Sequence, residues 1–256
     1  MGVCLLLWAA ADKACARIYS LPNVTNDDGE VYRQYRFTLP QGATDLLVVR
    51  HGESAAARPD QPAPLVDGHS DPELAPEGRE QAERLADRLA HEHIDAIYVT
   101  TLRRTAETAA PLAARLGLTP IVEPDLREVF LGEWEGLAFR KYVSERHPTA
   151  IRMFLEQRWD VIPGAESNES FAGRVQAGFE RIVAAHQGQR VVVVVHGGVI
   201  GQILSLATGA ALFGFVGADN ASISQIVAMP KPLVMRRFND TAHLDPIFSI
   251  AAEPLT

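Results

Sequence analysis

The chain has little cysteine: Cys4 and Cys15 are the two it contains, both near its start. That excludes a disulfide framework, and with no Cys-x-x-Cys pair or Cys/His cluster there is no zinc signature. Long apolar runs are also lacking. Val3 to Ala11, with Leu5-Leu6-Leu7-Trp8, is too short to span a bilayer and has no basic start of the secretory kind. Gly2 has no Ser or Thr at position 6, so a myristoylation signal is missing as well. There is no Lys/Arg run or basic tail, and the net charge of −8 disfavours a nucleic-acid partner. Internal repeats and low-complexity tracts are absent. A reduced, cytoplasmic protein without a membrane partner is the expectation. If its ligand is an anion, the positive charge that meets it must be concentrated in a few side chains.

What is present is ordinary in bulk and specific in detail. The 256 residues, 47% apolar and 22% charged, suffice for one sizeable domain with an appendage. Residues 1–44 read as an N-terminal extension, with partial alternation over 31–38 consistent with an added edge strand. A packing or homodimer role is the expectation for it. The domain proper covers 45–256. Leu46-Leu47-Val48-Val49 is a continuous apolar run that reads as a strand buried on both faces, and it ends in Arg50-His51-Gly52-Glu53. A structureless, Pro/Asp/Gly-rich stretch follows from Arg58 to Pro76, long for a connection and therefore a candidate functional loop.

Pro76-Glu77-Gly78 opens a helix whose Ala82, Leu85, Ala86 and Leu89 form an inward stripe. Ile94 to Val99 is a second strand, Leu102 to Gly117 a second helix, and Pro120 to Val122 a short third strand. Residues 126–165 hold most of the aromatics and read as a capping segment of short helices and loops. A helix over Glu169 to His186 precedes five consecutive valines, Val191 to Val195, which end in His196-Gly197-Gly198 and pass into an apolar helix. Ala221 to Met229 and Leu233 to Phe238 read as closing strands. This alternation predicts an α/β fold, a three-layer α/β/α sandwich with a mostly parallel central sheet.

Two buried strands therefore end in histidine and glycine, and strand ends on one edge of a parallel sheet converge. That edge is where open α/β folds bind ligands. The second glycine pair also begins a helix, whose free N–H groups and dipole favour an anion. Two imidazoles, Arg50 and a helix start make a pocket suited to a dianion such as phosphate. Thr100 to Ala109 follows a strand and enters a helix, and it could bring a second arginine to the same edge. Glu128, after the third strand, is either a surface acid paired with Arg127 or, if buried, a general acid.

Leu-Val-Val-Arg50-His51-Gly-Glu-Ser, Leu102-Arg103-Arg104-Thr105 with Thr108-Ala109, Leu126-Arg127-Glu128 with Gly132-Glu133-Trp134-Glu135-Gly136, and Val195-His196-Gly197-Gly198 together resemble the histidine phosphatase superfamily, on its phosphoglycerate-mutase-like branch. Asp71, Leu74, Gly78, Gln81 and Ala82 resemble its connecting motif. The likeness runs from about Asp45 to Arg237. It implies a phosphoglycerate-mutase-like fold, with His51 as a nucleophile that becomes a phosphohistidine. Arg50, Arg104, His196 and Gly197 would hold the phosphoryl oxygens, with Arg103 at the variable position and Glu128 as proton donor. It implies no metal and no organic cofactor.

Mutases of the family continue Arg-His-Gly-Glu-Ser-x-Trp-Asn, whereas this chain has Ala55-Ala56-Ala57. Their long insertion with paired arginines is not visible after Trp134. Easier water access and a weaker second anionic grip make hydrolysis of a small phosphomonoester the expectation. The alternatives are a cofactor-dependent phosphoglycerate mutase and a non-catalytic phosphate-binding protein.

Overall fold

The computed structural model describes residues 25–26, 29–30, 37–56, 58, 63–136, 138–229 and 233–244. Most of the strand expected over 31–38 lies outside these, and 37–38 are irregular. Thr25–Asn26 and Gly29–Glu30 pair as a two-residue antiparallel ladder. The sheet proper begins at Thr44, one residue ahead of the boundary expected from the sequence.

Six strands form the central sheet: β1 (Thr44–Arg50), β2 (Ala96–Val99), β3 (Ile121–Val122), β4 (Arg190–Val195), β5 (Ile223–Ala228) and β6 (Leu233–Asp240). Their order is β6-β5-β1-β4-β2-β3. The β1/β4, β4/β2 and β2/β3 pairs are parallel, while β5 runs antiparallel to both β1 and β6. One strand of six therefore opposes the rest, which satisfies the expectation of a mostly parallel sheet.

Among the described residues six helices accompany the sheet: α1 (Pro76–Leu89), α2 (Arg103–Leu116), α3 (Ala138–Ser144), α4 (Pro148–Glu156), α5 (Asn168–Ala185) and α6 (Gly197–Thr208). Period-two alternation sorts β1 and β4 between two cores. Leu47, Val49, Val192 and Val194 meet Leu85, Ala86 and Leu89 of α1 and Ala109 and Leu112 of α2. Leu46, Val48, Val191, Val193 and Val195 meet Phe171, Val175, Phe179 and Ile182 of α5 and Val199, Ile200 and Ile203 of α6. Each fully buried valine contributes about 1.5–3 kcal/mol of apolar burial, so neither face of the valine run could be turned to water. The three-layer sandwich follows.

Local sequence sets the helix ends. Pro76 occupies the first turn of α1 with Glu77 beside it, and Gly117 closes α2 in the left-handed region at φ 66°. The capping segment carries α3 and α4, and its aromatics serve mainly as core. Trp134 is buried against Tyr142 at 4.9 Å between ring centroids, and Trp159 against Phe213 at 4.6 Å.

Within the stretch between Arg58 and Pro76, the described residues 63–75 are more ordered than their composition suggests. Leu65–Val66 and His69–Ser70 pair as an antiparallel hairpin. Asp67 and Gly68 both take positive φ, at 48° and 83°, the backbone of a tight primed turn. The Asp-Gly dipeptide is the sequence signal for it.

Candidate active site

Three parallel strands deliver their carboxyl ends to one place. β1 ends in Arg50 and passes to His51, β4 passes to His196, and β2 passes to Thr100. The His51 N–H donates to the Val195 carbonyl at 2.9 Å, which locks the two histidine-bearing ends in register. The rings of His51 and His196 lie edge to face, 5.2 Å between centroids, and both side chains are buried.

The protonation of His51 follows from its partners. Its Nδ1 lies 2.7 Å from the Gly52 carbonyl, an acceptor, so Nδ1 carries the hydrogen. Nε2 is left as a lone pair and accepts from Arg104 Nε at 3.2 Å. Burial, Arg104 and Arg50 hold the pKa of His51 well below its ordinary value, so the ring stays neutral and nucleophilic. The peptide of His51 is pinned from the side opposite β4: Asn220 Nδ2 donates to its carbonyl at 2.9 Å, and the Ala221 N–H reaches the carbonyls of Arg50 and His51. Because β5 is the antiparallel strand, its start lies at this edge and brings Asn220 and Ala221 with it.

His196 takes the same tautomer. The Thr105 hydroxyl donates to the Leu102 carbonyl at 2.8 Å and accepts from the Thr100 N–H at 3.0 Å. The Thr100 hydroxyl accepts from the Leu102 N–H and has two acceptors in reach, His196 Nε2 at 3.0 Å and the Thr105 hydroxyl at 3.2 Å; we assign its hydrogen to the nearer, His196 Nε2. Nδ1 of His196 then bears the hydrogen, and among the described residues it has no partner. An unpaired buried donor costs about 1–3 kcal/mol, which an anionic oxygen would recover. Burial and the nearby Arg104 hold this ring neutral too.

Two arginines face the histidines, Arg104 buried and Arg50 partly so. Arg50 Nη1 donates to the Ala218 carbonyl at 2.5 Å. Arg104 Nη1 donates to the Ser70 carbonyl at 2.8 Å, so the hairpin missed in the sequence positions one of the site's cations. The hairpin is fixed in turn by Glu135, which accepts from the N–H and hydroxyl of Ser70. Burial lowers the pKa of Arg104 to about 10, which still leaves it charged at neutral pH. Arg103 points outward to Glu107 and Glu73, so Arg104 is the residue of this pair that enters the site. Gly197 opens α6 beside Arg50: a Cβ on it would stand 3.7 Å from Arg50 Nε.

Glu128 is turned inward, away from Arg127, which pairs instead with Asp67 at 3.3 Å. Its Oε1 accepts from the Val129 N–H at 2.9 Å, and Oε2 from the Gly198 N–H at 3.1 Å. Burial raises its pKa above 4.5, outweighing those two donors and the pull of Arg104 and Arg50. The carboxyl fits only because residue 198 has no side chain: a Cβ there would lie 2.6 Å from Oε1. Gly78 has a similar role under the loop that follows His51, where a Cβ would stand 2.0 Å from the Glu53 carbonyl oxygen.

All six residues singled out in the sequence, Arg50, His51, Arg104, Glu128, His196 and Gly197, thus converge on one edge of the sheet. Thr100, Asn220, Glu135, Ser70 and Gly198 join them as supports. Arg140 of α3, one of several cap arginines in the sequence, also reaches the site, donating to Ser54 Oγ at 2.6 Å and to the Ala55 carbonyl at 2.9 Å. The arrangement offers a neutral imidazole lone pair, cationic and N–H donors around it, and a carboxyl biased toward its protonated form. It can accept a tetrahedral dianion, take a covalent bond at Nε2 and supply a proton. No group of three or more His, Cys, Asp or Glu that could hold a metal ion is found among the described residues.

Comparison with known proteins points the same way. Residues 46–241 match the family model described as histidine phosphatase superfamily, branch 1. Phosphoglycerate mutase-like protein 4 of Arabidopsis thaliana is 41% identical over 162 residues, 61% of this chain and 67% of that one. Phosphoserine phosphatase 1 of Hydrogenobacter thermophilus is 35% identical over 202 residues, 78% of this chain and 93% of that one. Among solved structures, mycobacterial glucosyl-3-phosphoglycerate phosphatase superposes with a TM-score of 0.64 at 26% identity, covering 78% of this chain and 100% of that one.

Proposed function

This chain belongs to the histidine phosphatase superfamily, and from that premise we propose that it hydrolyses small phosphomonoesters through a phosphoenzyme formed on His51. The observation that carries the reading is the His51 Nε2 lone pair, on a ring held neutral by burial and by Arg104 and Arg50. Nε2 attacks phosphorus, the Nε2–P bond forms and the P–O bond to the alcohol breaks. Glu128 gives its proton to the departing oxygen. The three equatorial oxygens gain charge in this step, and Arg50, Arg104, the Nδ1–H of His196 and the first-turn N–H of Gly197 meet it. In the second half, the Glu128 carboxylate takes a proton from water, whose oxygen attacks phosphorus. The P–N bond breaks, and His51 is regenerated as inorganic phosphate leaves.

Hydrolysis rather than phosphoryl return is supported by the phosphatase names carried by two of these relatives. It is supported too by the three alanines after Ser54. No helix among the described residues is long and apolar enough to cross a membrane, and a cytoplasmic setting fits the reduced character of the sequence.

The test is phosphate release from a panel of phosphomonoesters by the wild type and by His51→Ala. A loss of at least about 10³-fold is expected for the variant. Wild-type protein quenched during turnover should carry an acid-labile, base-stable phosphoryl group that His51→Ala lacks. Wild type that releases no more phosphate than His51→Ala on any substrate would end the enzymatic reading. Production of 2-phosphoglycerate from 3-phosphoglycerate and its bisphosphate, in preference to inorganic phosphate, would replace hydrolysis with mutase activity.

A further inference from the structure

Arg140 is a cation that the hydrolytic scheme does not use. It reaches the site from α3, in the cap, whereas Arg50 and Arg104 arrive from the sheet edge. Among the described residues it forms no ion pair within 4.0 Å. Its partners are a hydroxyl and carbonyl oxygens of Ser54 and Ala55. A half-buried guanidinium without a carboxylate against it carries a desolvation cost that an incoming anion offsets. Its charge is felt at His51, Arg50 and Arg104, which places it within electrostatic reach of the reacting phosphorus.

The phosphoryl group is already surrounded by Arg50, Arg104, His196 and the start of α6. Arg140 stands beside Ser54, three residues past the nucleophile, where the cap meets the nucleophile loop. The oxygens of Ser54 and Ala55 are gripped by its Nη1 and Nη2 ends. This leaves Nε–H and the second Nη2–H without a described bond. That edge of a guanidinium is the one that takes a carboxylate through two parallel hydrogen bonds. The sequence pointed toward a weak second anionic grip, because the paired arginines of a mutase insertion are missing. Arg140 supplies such a grip from a different element.

Resting on the phosphatase reading above, we propose that Arg140 is a specificity residue that binds a carboxylate on the alcohol portion of the substrate, so that the preferred substrates are phosphorylated hydroxy acids. Glu53, whose charge partly offsets the cost of burying Arg140, makes no ion pair with it within 4.0 Å and so does not occupy the fork.

The experiment compares 3-phosphoglycerate with glycerol 3-phosphate, which differ by a carboxylate against a hydroxymethyl group. Wild type should favour the carboxylated ester in kcat/KM by about ten- to a hundredfold, the scale of a charge-assisted bidentate contact. Arg140→Gln should collapse that ratio toward one, mainly through KM for 3-phosphoglycerate. Arg140→Lys, which keeps the charge but not the fork, should retain an intermediate ratio. Because the readout is a ratio within each variant, a general loss from loosening Ser54 cancels. A bisphosphate in which a second phosphate replaces the carboxylate separates carboxylate recognition from a demand for any second anion; equal preference for it would overturn the carboxylate assignment. A wild type that hydrolyses both esters equally, or an unchanged ratio in Arg140→Gln, would overturn the proposal while leaving the phosphatase reading intact. Should neither ester be hydrolysed, calorimetric binding of the same pair to wild type and Arg140→Gln decides it: equal affinities in wild type refute the role of Arg140.

Discussion

Substituting Gly198 by alanine should separate proton donation from phosphoryl binding in a single methyl group. The added Cβ would stand 2.6 Å from Glu128 Oε1 and 3.4 Å from Trp159 Cζ2. Comfortable carbon contacts begin near 3.5 Å, so the carboxyl must retreat by about 1 Å. That retreat breaks its bonds to the N–H groups of Val129 and Gly198. A misplacement of about 1 Å can cost on the order of 10²-fold, and a general acid contributes about 10²–10⁴-fold, so kcat on an alkyl phosphate should fall by about 10²–10³-fold.

p-Nitrophenyl phosphate provides the contrast. Its leaving group departs as a stabilised anion and needs little proton transfer, so the loss on it should be below about tenfold. Glu128→Gln should show the same split, and the double variant should be little worse than either single one, because both remove one function. Folding should survive. Alanine in the first turn of α6 gains about 1 kcal/mol of helix propensity against about 1–3 kcal/mol of overpacking. The melting temperature should therefore drop by no more than a few degrees. Equal losses on both substrates, or wild-type turnover of the alkyl ester, would refute the assignment of Glu128 as proton donor seated by Gly198.

Other expectations follow from the same geometry. His51 must be neutral to attack, and its pKa lies well below 6.5, so the acid limb of kcat/KM should fall below pH 6.5. Glu128 must carry a proton, and its pKa is raised above 4.5, so the rate should decline as pH rises through that raised value. The optimum then sits on the acidic side of neutral, and a profile still climbing in alkali would contradict it. For stability the sign is set by the depressed values of His51 and His196. Their neutral burial favours the fold fully above pH 6.5, and that contribution is lost as pH falls below 6.5 toward the depressed pKa values, as acid-unfolding midpoints will read. Inorganic phosphate at about 100 times its Kd should stabilise the protein by about 2.7 kcal/mol, a shift of several degrees in a thermal melt that Arg104→Ala removes. Thr100→Val leaves His196 Nε2 without its donor and frees the tautomer; kcat should fall by about ten- to a hundredfold with the melt shifted by only a few degrees, and an unchanged kcat would remove Thr100 from the site.

The sequence exposed what depends on local pattern. Apolar runs ending in His-Gly announced β1 and β4, and Pro76 and Gly117 marked helix ends through their own backbone chemistry. The convergence of His51 with His196 followed from parallel strands sharing an edge. Resemblance to a known family distinguished Arg104 from Arg103, which periodicity alone left open. What stayed hidden depends on contacts distant in sequence. The burial of Glu128 requires the missing side chain of Gly198, seventy positions on, and the role of Asn220 requires β5 to run antiparallel. The hairpin around Asp67-Gly68 has strands of two residues, too short for alternation to register, although its turn dipeptide was readable. Arg140 looked like one of several cap arginines because nothing local distinguishes it.

The position of β4 has a consequence for how the enzyme comes to life. β1 pairs with β4 and β5, strands that lie some 145 and 180 residues further along the chain. A nascent chain emerging in order presents His51, Arg104 and Glu128 long before His196 or the Asn220 loop exists to complete and brace them. Non-local pairing of this kind must also bear its loop-closure entropy before any contact rewards it. Activity is therefore withheld until β4 and β5 have been made: His51, the proposed nucleophile, is among the first residues of the domain to be made and among the last to become competent.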